Sequence, residues 1–111
     1  MNIDAMPHGD AVVVAIAGSI DAMTAPEVGE FLSRQVGGGQ RQLVADLTQV
    51  DFMSSAGLRA ILAGLKEARQ SGGDLRLAGA SANVEKVLKM SGFTNILKAF
   101  ATVDEAVSSF G

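Results

Sequence analysis

The sequence predicts an α/β fold: a small mixed, mostly parallel sheet with helices packed on it. Short apolar runs rich in β-branched residues alternate with segments whose apolar residues recur at helical spacing. Glycines or capping residues mark the switches between the two. Strands that alternate with helices need crossover connections, which pair strands in parallel and with one hand.

Residues 2–6 are a weak strand candidate, and Pro7-His8-Gly9-Asp10 is the turn after it. Ala11-Val12-Val13-Val14-Ala15-Ile16-Ala17 is a compact strand, joined to the first by a connection short enough for an antiparallel hairpin. Gly18-Ser19-Ile20-Asp21 ends it. Thr24-Ala25-Pro26-Glu27 opens a helix as a capping box with proline in the first turn. Val28, Phe31, Leu32 and Val36 form its apolar face, and Gly37-Gly38-Gly39 stops it.

A third strand is expected from Gln42 to Leu47, followed by a turn carrying Asp51, Phe52 and Met53. Ser54 and Ser55 open the next helix, whose face is Leu58, Ile61, Leu62, Leu65 and Ala68. Ser71-Gly72-Gly73 ends it, and Asp74 to Gly79 is a fourth strand. Ser81 caps a further helix with Val84, Val87, Leu88 and Met90 on its apolar side, closed by Ser91-Gly92-Phe93. A short strand near Ile96 to Phe100 and a last helix from Thr102 or Asp104 to Ser109 complete the order β β α β α β α β α.

A chain of 111 residues is expected to be a single domain, 1–111, with one core. Nearly half of it is apolar, with a net charge of −3, an ordinary soluble composition. Its nine Lys and Arg are scattered rather than striped, so nucleic acid is not an expected partner. The absence of cysteine removes disulfides, thiolate chemistry and Cys-based zinc sites. The single histidine, His8, argues against a His-containing triad or a multi-His metal site. No secretory signal is indicated, and Ala11 to Ala17 is too short to span a bilayer, so a cytoplasmic protein without direct membrane insertion is expected.

The chemistry concentrates in Asp46-Leu47-Thr48-Gln49-Val50-Asp51-Phe52-Met53-Ser54-Ser55-Ala56-Gly57-Leu58. A helix start leaves backbone N–H groups unpaired and carries partial positive charge. A serine there serves as a cap, and equally as a place where an added phosphate is tolerated. The two roles are compatible. Asp21 after the second strand and Asp46 at the end of the third are expected beside this helix start, since sites in such sheets form beyond strand carboxyl ends.

Asp46 and Asp51 also suggest metal ligands or the phosphoacceptor of a receiver-like phosphoaspartyl protein, but no acidic pair follows the first strand to hold magnesium. The glycine runs lack the Lys-Ser/Thr ending of a phosphate loop. Phe52 and Met53 fit a hydrophobic staple or, if exposed, an interaction patch. Ser55 as a nucleophile would need a base, and neither a nearby histidine nor a Gly-x-Ser-x-Gly elbow is present. Neither an enzyme, nor a metal, nor a cofactor is expected.

Four segments together carry a resemblance to the STAS domain of bacterial anti-sigma-factor antagonists. Gly18-Ser19-Ile20-Asp21 is similar to the family's Gly-x-Leu/Ile-Asp turn, and Asp46 to Leu58 to its central strand-to-helix motif. Gly72-Gly73-Asp74-Leu75 and Met90-Ser91-Gly92-Phe93 are similar to its Gly-Gly turn and its late Met-Ser-Gly-Leu segment. The likeness spans essentially the whole chain.

It implies an STAS-like domain that acts by partner switching. The unphosphorylated protein would bind an anti-sigma factor that is a serine kinase of the histidine-kinase-like ATPase fold, freeing the sigma factor. Phosphorylation would release it, and a PP2C-type phosphatase would reverse the mark. Family members commonly read Phe-Met-Asp-Ser-Ser/Thr-Gly-Leu, which lays the family Asp on Ser54 and the acceptor on Ser55. The resemblance thus implies Ser55 as phosphoacceptor with Ser54 as second choice. It implies a partner-binding surface of Asp21, Asp46, Met53, Ser54, Ser55, Gly57 and Leu58. Alternatives are an STAS accessory subunit of a membrane lipid-transport ATPase, the receiver-like protein using Asp46, and a small-ligand sensor.

Overall fold

The computed structural model describes residues 1–110, and of Thr94 the backbone alone. Its five strands are β1 (Asn2–His8), β2 (Ala11–Ile20), β3 (Gln42–Met53), β4 (Asp74–Ala78) and β5 (Ala99–Phe100). The helices are α1 (Ala25–Gly37), α2 (Ser55–Gln70), α3 (Ala82–Ser91) and α4 (Val103–Ser108), with a 3₁₀ turn at Phe93–Asn95. The expected order of elements stands.

The sheet runs β1-β2-β3-β4-β5, so every strand lies beside its neighbours in sequence. β1 pairs antiparallel with β2, and every other pairing is parallel. A sheet that never reverses direction sends all its right-handed crossovers to one side. Hence Val28 and Leu32 of α1, Leu58, Ile61 and Leu65 of α2, and Val84 and Leu88 of α3 join one core with Val14, Ile16, Leu43, Leu47, Leu75 and Leu77 of the sheet. Among the described residues the opposite face carries one helix, α4, whose Ala106 packs on Val13, Val44 and Ala78.

The structure changes three expectations about boundaries. β1 continues through Pro7 and His8, because an edge strand tolerates proline and the tight turn is made by Gly9 at φ 63° with Asp10. β3 continues to Met53 through the supposed turn. Its pairing with β2 takes one extra residue twice, after Asp46 and after Val50, so its buried residues fall at Leu47, Val50 and Met53. Bulges of this kind erase the two-residue period that marks a strand. β5 is shorter than expected, since the amides of Ile96 and Leu97 donate back to the Phe93 carbonyl and complete the 3₁₀ turn.

Ser81 and Thr102 cap α3 and α4, accepting from the amides of Val84 and Glu105. Gly92, at φ 79°, ends α3 in the left-handed conformation that glycine adopts without strain.

Candidate functional site

The start of α2 is held against the end of β2 by its backbone. The Ser54 N–H donates to the Ile20 carbonyl at 2.8 Å, and the Leu58 N–H donates to the Ser54 carbonyl at 3.0 Å. Ser54 is extended, as an N-cap must be, and its hydroxyl accepts from the Gly57 N–H at 3.2 Å. Met53 before the cap and Leu58 four residues after it are both buried, so they form the staple across the helix entry. Gly57 belongs where it is because its backbone lies against Ile20: a Cβ there would meet Ile20 Cγ2 at 2.6 Å and the Ile20 carbonyl oxygen at 2.7 Å.

The two serines therefore differ. Ser54 is half-buried and its hydroxyl is engaged as the cap, whereas Ser55 is exposed at the first helical position. Ser and Asp are equivalent N-caps, so a serine in place of the family Asp keeps the local structure while removing a charge. Arg59, one turn along α2 from Ser55, is exposed on the same helix face.

Asp21 sits at the mouth of the β2–α1 loop. One carboxylate oxygen accepts from the amides of Met23 at 2.9 Å and Thr24 at 3.1 Å. Those backbone N–H groups, Thr24 first and Met23 second, hold the carboxyl below its ordinary range. Asp21 thus takes the capping duty expected of Thr24. The Thr24 side chain makes no cap; it accepts from the Asp21 N–H and donates to the Ser19 carbonyl, each at 2.9 Å. Ser19 in turn donates to Asp51 at 2.8 Å, tying the end of β2 to that of β3.

The expected surface needs correction in two respects. Met53, Gly57 and Leu58 are buried, with Met53 only 1% exposed, so they position the helix start and offer little surface of their own. Asp46 is not at the helix start. It lies in mid-strand, where its carboxylate accepts from the Thr48 N–H and hydroxyl, and it lines a cavity with Met6, His8 and Val103 on the side of α4. Asp46 pairs with Ala15 while Met53 pairs with Ile20, which separates it from the end of β3 by about 16 Å at the usual strand rise. The receiver-like alternative fails with it, because that fold places its sheet in the order 2-1-3-4-5 and this sheet does not reverse.

The exposed apolar groups at this end of the sheet were largely hidden from sequence reasoning. Phe52, 51% exposed, leaves the end of β3. Met23, 90% exposed, stands in the β2–α1 loop. Met90 was expected on the apolar face of α3, yet it is 78% exposed, because it lies about 200° around the helix from the buried Leu88. It lines a cavity of about 290 Å³ with Ser55, Leu58, Val87 and Ser91. The signal available was that helical angle; for Met23 there was none.

Among the described residues no group of three or more His, Cys, Asp or Glu could hold a metal ion, and no helix is long and apolar enough to cross a membrane.

A family model of the STAS domain matches residues 2–106. BtrV of Bordetella bronchiseptica, named as a candidate anti-sigma factor antagonist, is 32% identical over 99 residues, covering 89% of this chain and 85% of its own. The anti-sigma-B factor antagonist of Listeria monocytogenes is 37% identical over 90 residues, covering 80% of this chain and 78% of its own. Among solved structures, the anti-sigma factor antagonist SpoIIAA in its unphosphorylated form matches with a TM-score of 0.82 at 22% identity, covering 98% of this chain and 96% of that one. The Bacillus cell fate determinant SpoIIAA in its phosphorylated form matches with a TM-score of 0.74 at 21% identity, covering 99% of this chain and 100% of that one. At these identities the solved structures establish the fold.

Proposed function

Because the chain belongs to the STAS-domain family, we propose that it is an anti-sigma factor antagonist switched by phosphorylation of Ser55. The unphosphorylated form binds an anti-sigma factor, itself a serine kinase of the histidine-kinase-like ATPase fold, and releases the sigma factor that the kinase holds. Phosphorylation by the same kinase ends the complex, and a PP2C-type phosphatase restores it. This chain is the regulated ligand rather than an enzyme, and its place is the cytoplasm, where sigma factors act.

The observation that carries the proposal is the division of labour between the serines. Ser54 closes the helix start, which leaves Ser55 exposed and free to accept a phosphate. A phosphate on the first helical residue meets unpaired backbone N–H groups and the positive end of α2, with Arg59 one turn on, so the domain itself stays folded. The docked partner bears the cost. Nearly two negative charges placed within an apolar contact formed by Phe52, Met23 and Met90 are desolvated against a partner surface that offers no cation of its own. A partner that prefers the unmodified surface by about 3 kcal/mol is displaced more than a hundredfold.

Intact-mass and phosphopeptide analysis of the protein from growing and stressed cells tests the proposal. An acid-stable phosphate on Ser55, with occupancy that changes with condition, is the expected result. Binding to the kinase should be kept by Ser55→Ala and weakened by Ser55→Asp. No phosphate under any condition, together with stable co-purification with membrane proteins, would replace this proposal with a constitutive accessory subunit of a lipid-transport ATPase.

A further inference from the structure

Methionine is distributed unevenly over this fold. Of the five methionines, Met53 is 1% exposed, whereas Met23 and Met90 are the two most exposed large hydrophobic residues. Those two stand near the phosphoacceptor. Met90 shares a cavity with Ser55, and Met23 is held in the β2–α1 loop by the Asp21 carboxylate, just beyond the Ile20 carbonyl that receives the Ser54 amide. The chain has no cysteine, so peroxide finds no thiol and meets thioether sulfur as its readiest target.

We infer that Met23 and Met90 form an oxidation-sensitive pair through which a peroxide weakens docking on the Ser55 surface, independently of phosphorylation. The inference rests on the docking surface proposed above. A sulfur lone pair attacks the outer oxygen of the peroxide, the O–O bond breaks, and the departing hydroxide leaves as water after proton transfer. Each thioether becomes a sulfoxide, oxidised by two electrons, while one peroxide is reduced to water. The change leaves the side chain's length almost unaltered but replaces an apolar, polarizable sulfur with a strongly polar S–O dipole. On a free surface the dipole is hydrated at no cost; under a docked partner it must be desolvated. The reaction is reversible through methionine sulfoxide reductases, which draw on thiol electrons. Phosphorylation and oxidation would thus act on one surface by one physical principle, the introduction of polarity into an apolar contact.

Met6 supplies the internal control. It is 57% exposed, but it sits on β1 beside His8 and Asp46, on the α4 side of the sheet. Its oxidation is expected to be chemically easy and functionally silent.

The test is to treat the purified, unphosphorylated protein with dilute hydrogen peroxide, map the added oxygen by peptide mass analysis, and measure binding to the purified serine kinase. Oxygen should appear on Met23 and Met90 and not on the buried Met53, and affinity should fall by about tenfold. Reduction by the two sulfoxide reductases should restore it. The Met23→Leu/Met90→Leu double variant, whose side-chain volume is nearly unchanged, should show the same affinity before and after peroxide, whatever that affinity is, while Met6→Leu should lose affinity on treatment as the wild type does. Undiminished binding by protein oxidised at both positions, or equal sensitivity of the double variant, would overturn the inference and leave the docking surface standing. Failure of the untreated protein to bind would instead refute the docking surface, and this inference with it.

Discussion

Replacing Gly57 with alanine tests whether close backbone approach fixes the start of α2. The added methyl group would lie 2.6 Å from Ile20 Cγ2 and 2.7 Å from the Ile20 carbonyl oxygen. Ile20 is fully buried, and the same oxygen receives the Ser54 N–H at 2.8 Å, so the obstacle cannot swing into solvent. Overpacking of this kind costs about 1–3 kcal/mol. Forcing the helix start away from β2 strains a hydrogen bond worth about 1 kcal/mol. Alanine recovers about 1 kcal/mol through its better helix propensity. The balance is a loss of about 2 kcal/mol, or roughly 8 °C in Tm for a domain of this size. Urea denaturation followed by circular dichroism should show a lower midpoint with an unchanged slope. A Gly57→Ala protein more stable than the wild type would refute the steric account, because propensity alone would then govern the position.

Ser54→Ala should cost about 1 kcal/mol in the same urea assay, through loss of the cap on Gly57, while Ser55→Ala should change stability by less than about 0.5 kcal/mol. Equal losses would mean that the two serines do not divide the work as described. Gly37 ends α1 without a left-handed backbone, and a Cβ added there would meet nothing within 4 Å, so Gly37→Ala should raise stability by about 0.5 kcal/mol. A lower denaturation midpoint would disprove it. The Asp21 carboxyl titrates below its ordinary value of 3.8, so its stabilising effect is complete above that value and fades as pH falls through the depressed one. Asp21→Asn should therefore be less stable than the wild type near neutrality and converge with it in acid. A stability difference that does not change between about pH 6 and about pH 3 would show that the charge plays no part.

Much of the fold was legible because its signals are local. Ser81 was recognisable as a cap from the apolar spacing that follows it, and Gly92 as a helix stop. What was illegible depends on partners distant in sequence. Phe52 and Met53 looked like a turn because two bulges shift β3 out of its period, and only pairing with Ser19 and Ile20 makes those residues a strand. The same shifts misplaced Asp46, which the sequence put at a strand end and the sheet puts in mid-strand. Asp21 could have been distinguished from Thr24 as the capping group only by knowing that Ser19 claims the threonine hydroxyl. At the candidate site, the helix start at Ser54 and Ser55 was legible from its motif, but the separation of buried Met53 from exposed Phe52 was not. Adjacent strand residues face opposite ways, and sequence alone does not say which way is inward.

The unreversed strand order also bears on how the chain is made. As the polypeptide leaves the ribosome, each new strand meets a sheet edge that the preceding residues have already formed, and no strand must be inserted between two others. Such nearest-neighbour assembly keeps loop closures short and favours rapid folding during synthesis. Its last step differs from the rest. Until residues 103–108 emerge, Val13, Val44 and Ala78 remain wetted on the second face, and α4 is the piece that seals them. A ribosome stalled before that segment would present a nearly finished sheet with one sticky side, the state in which a holding chaperone has most to grip.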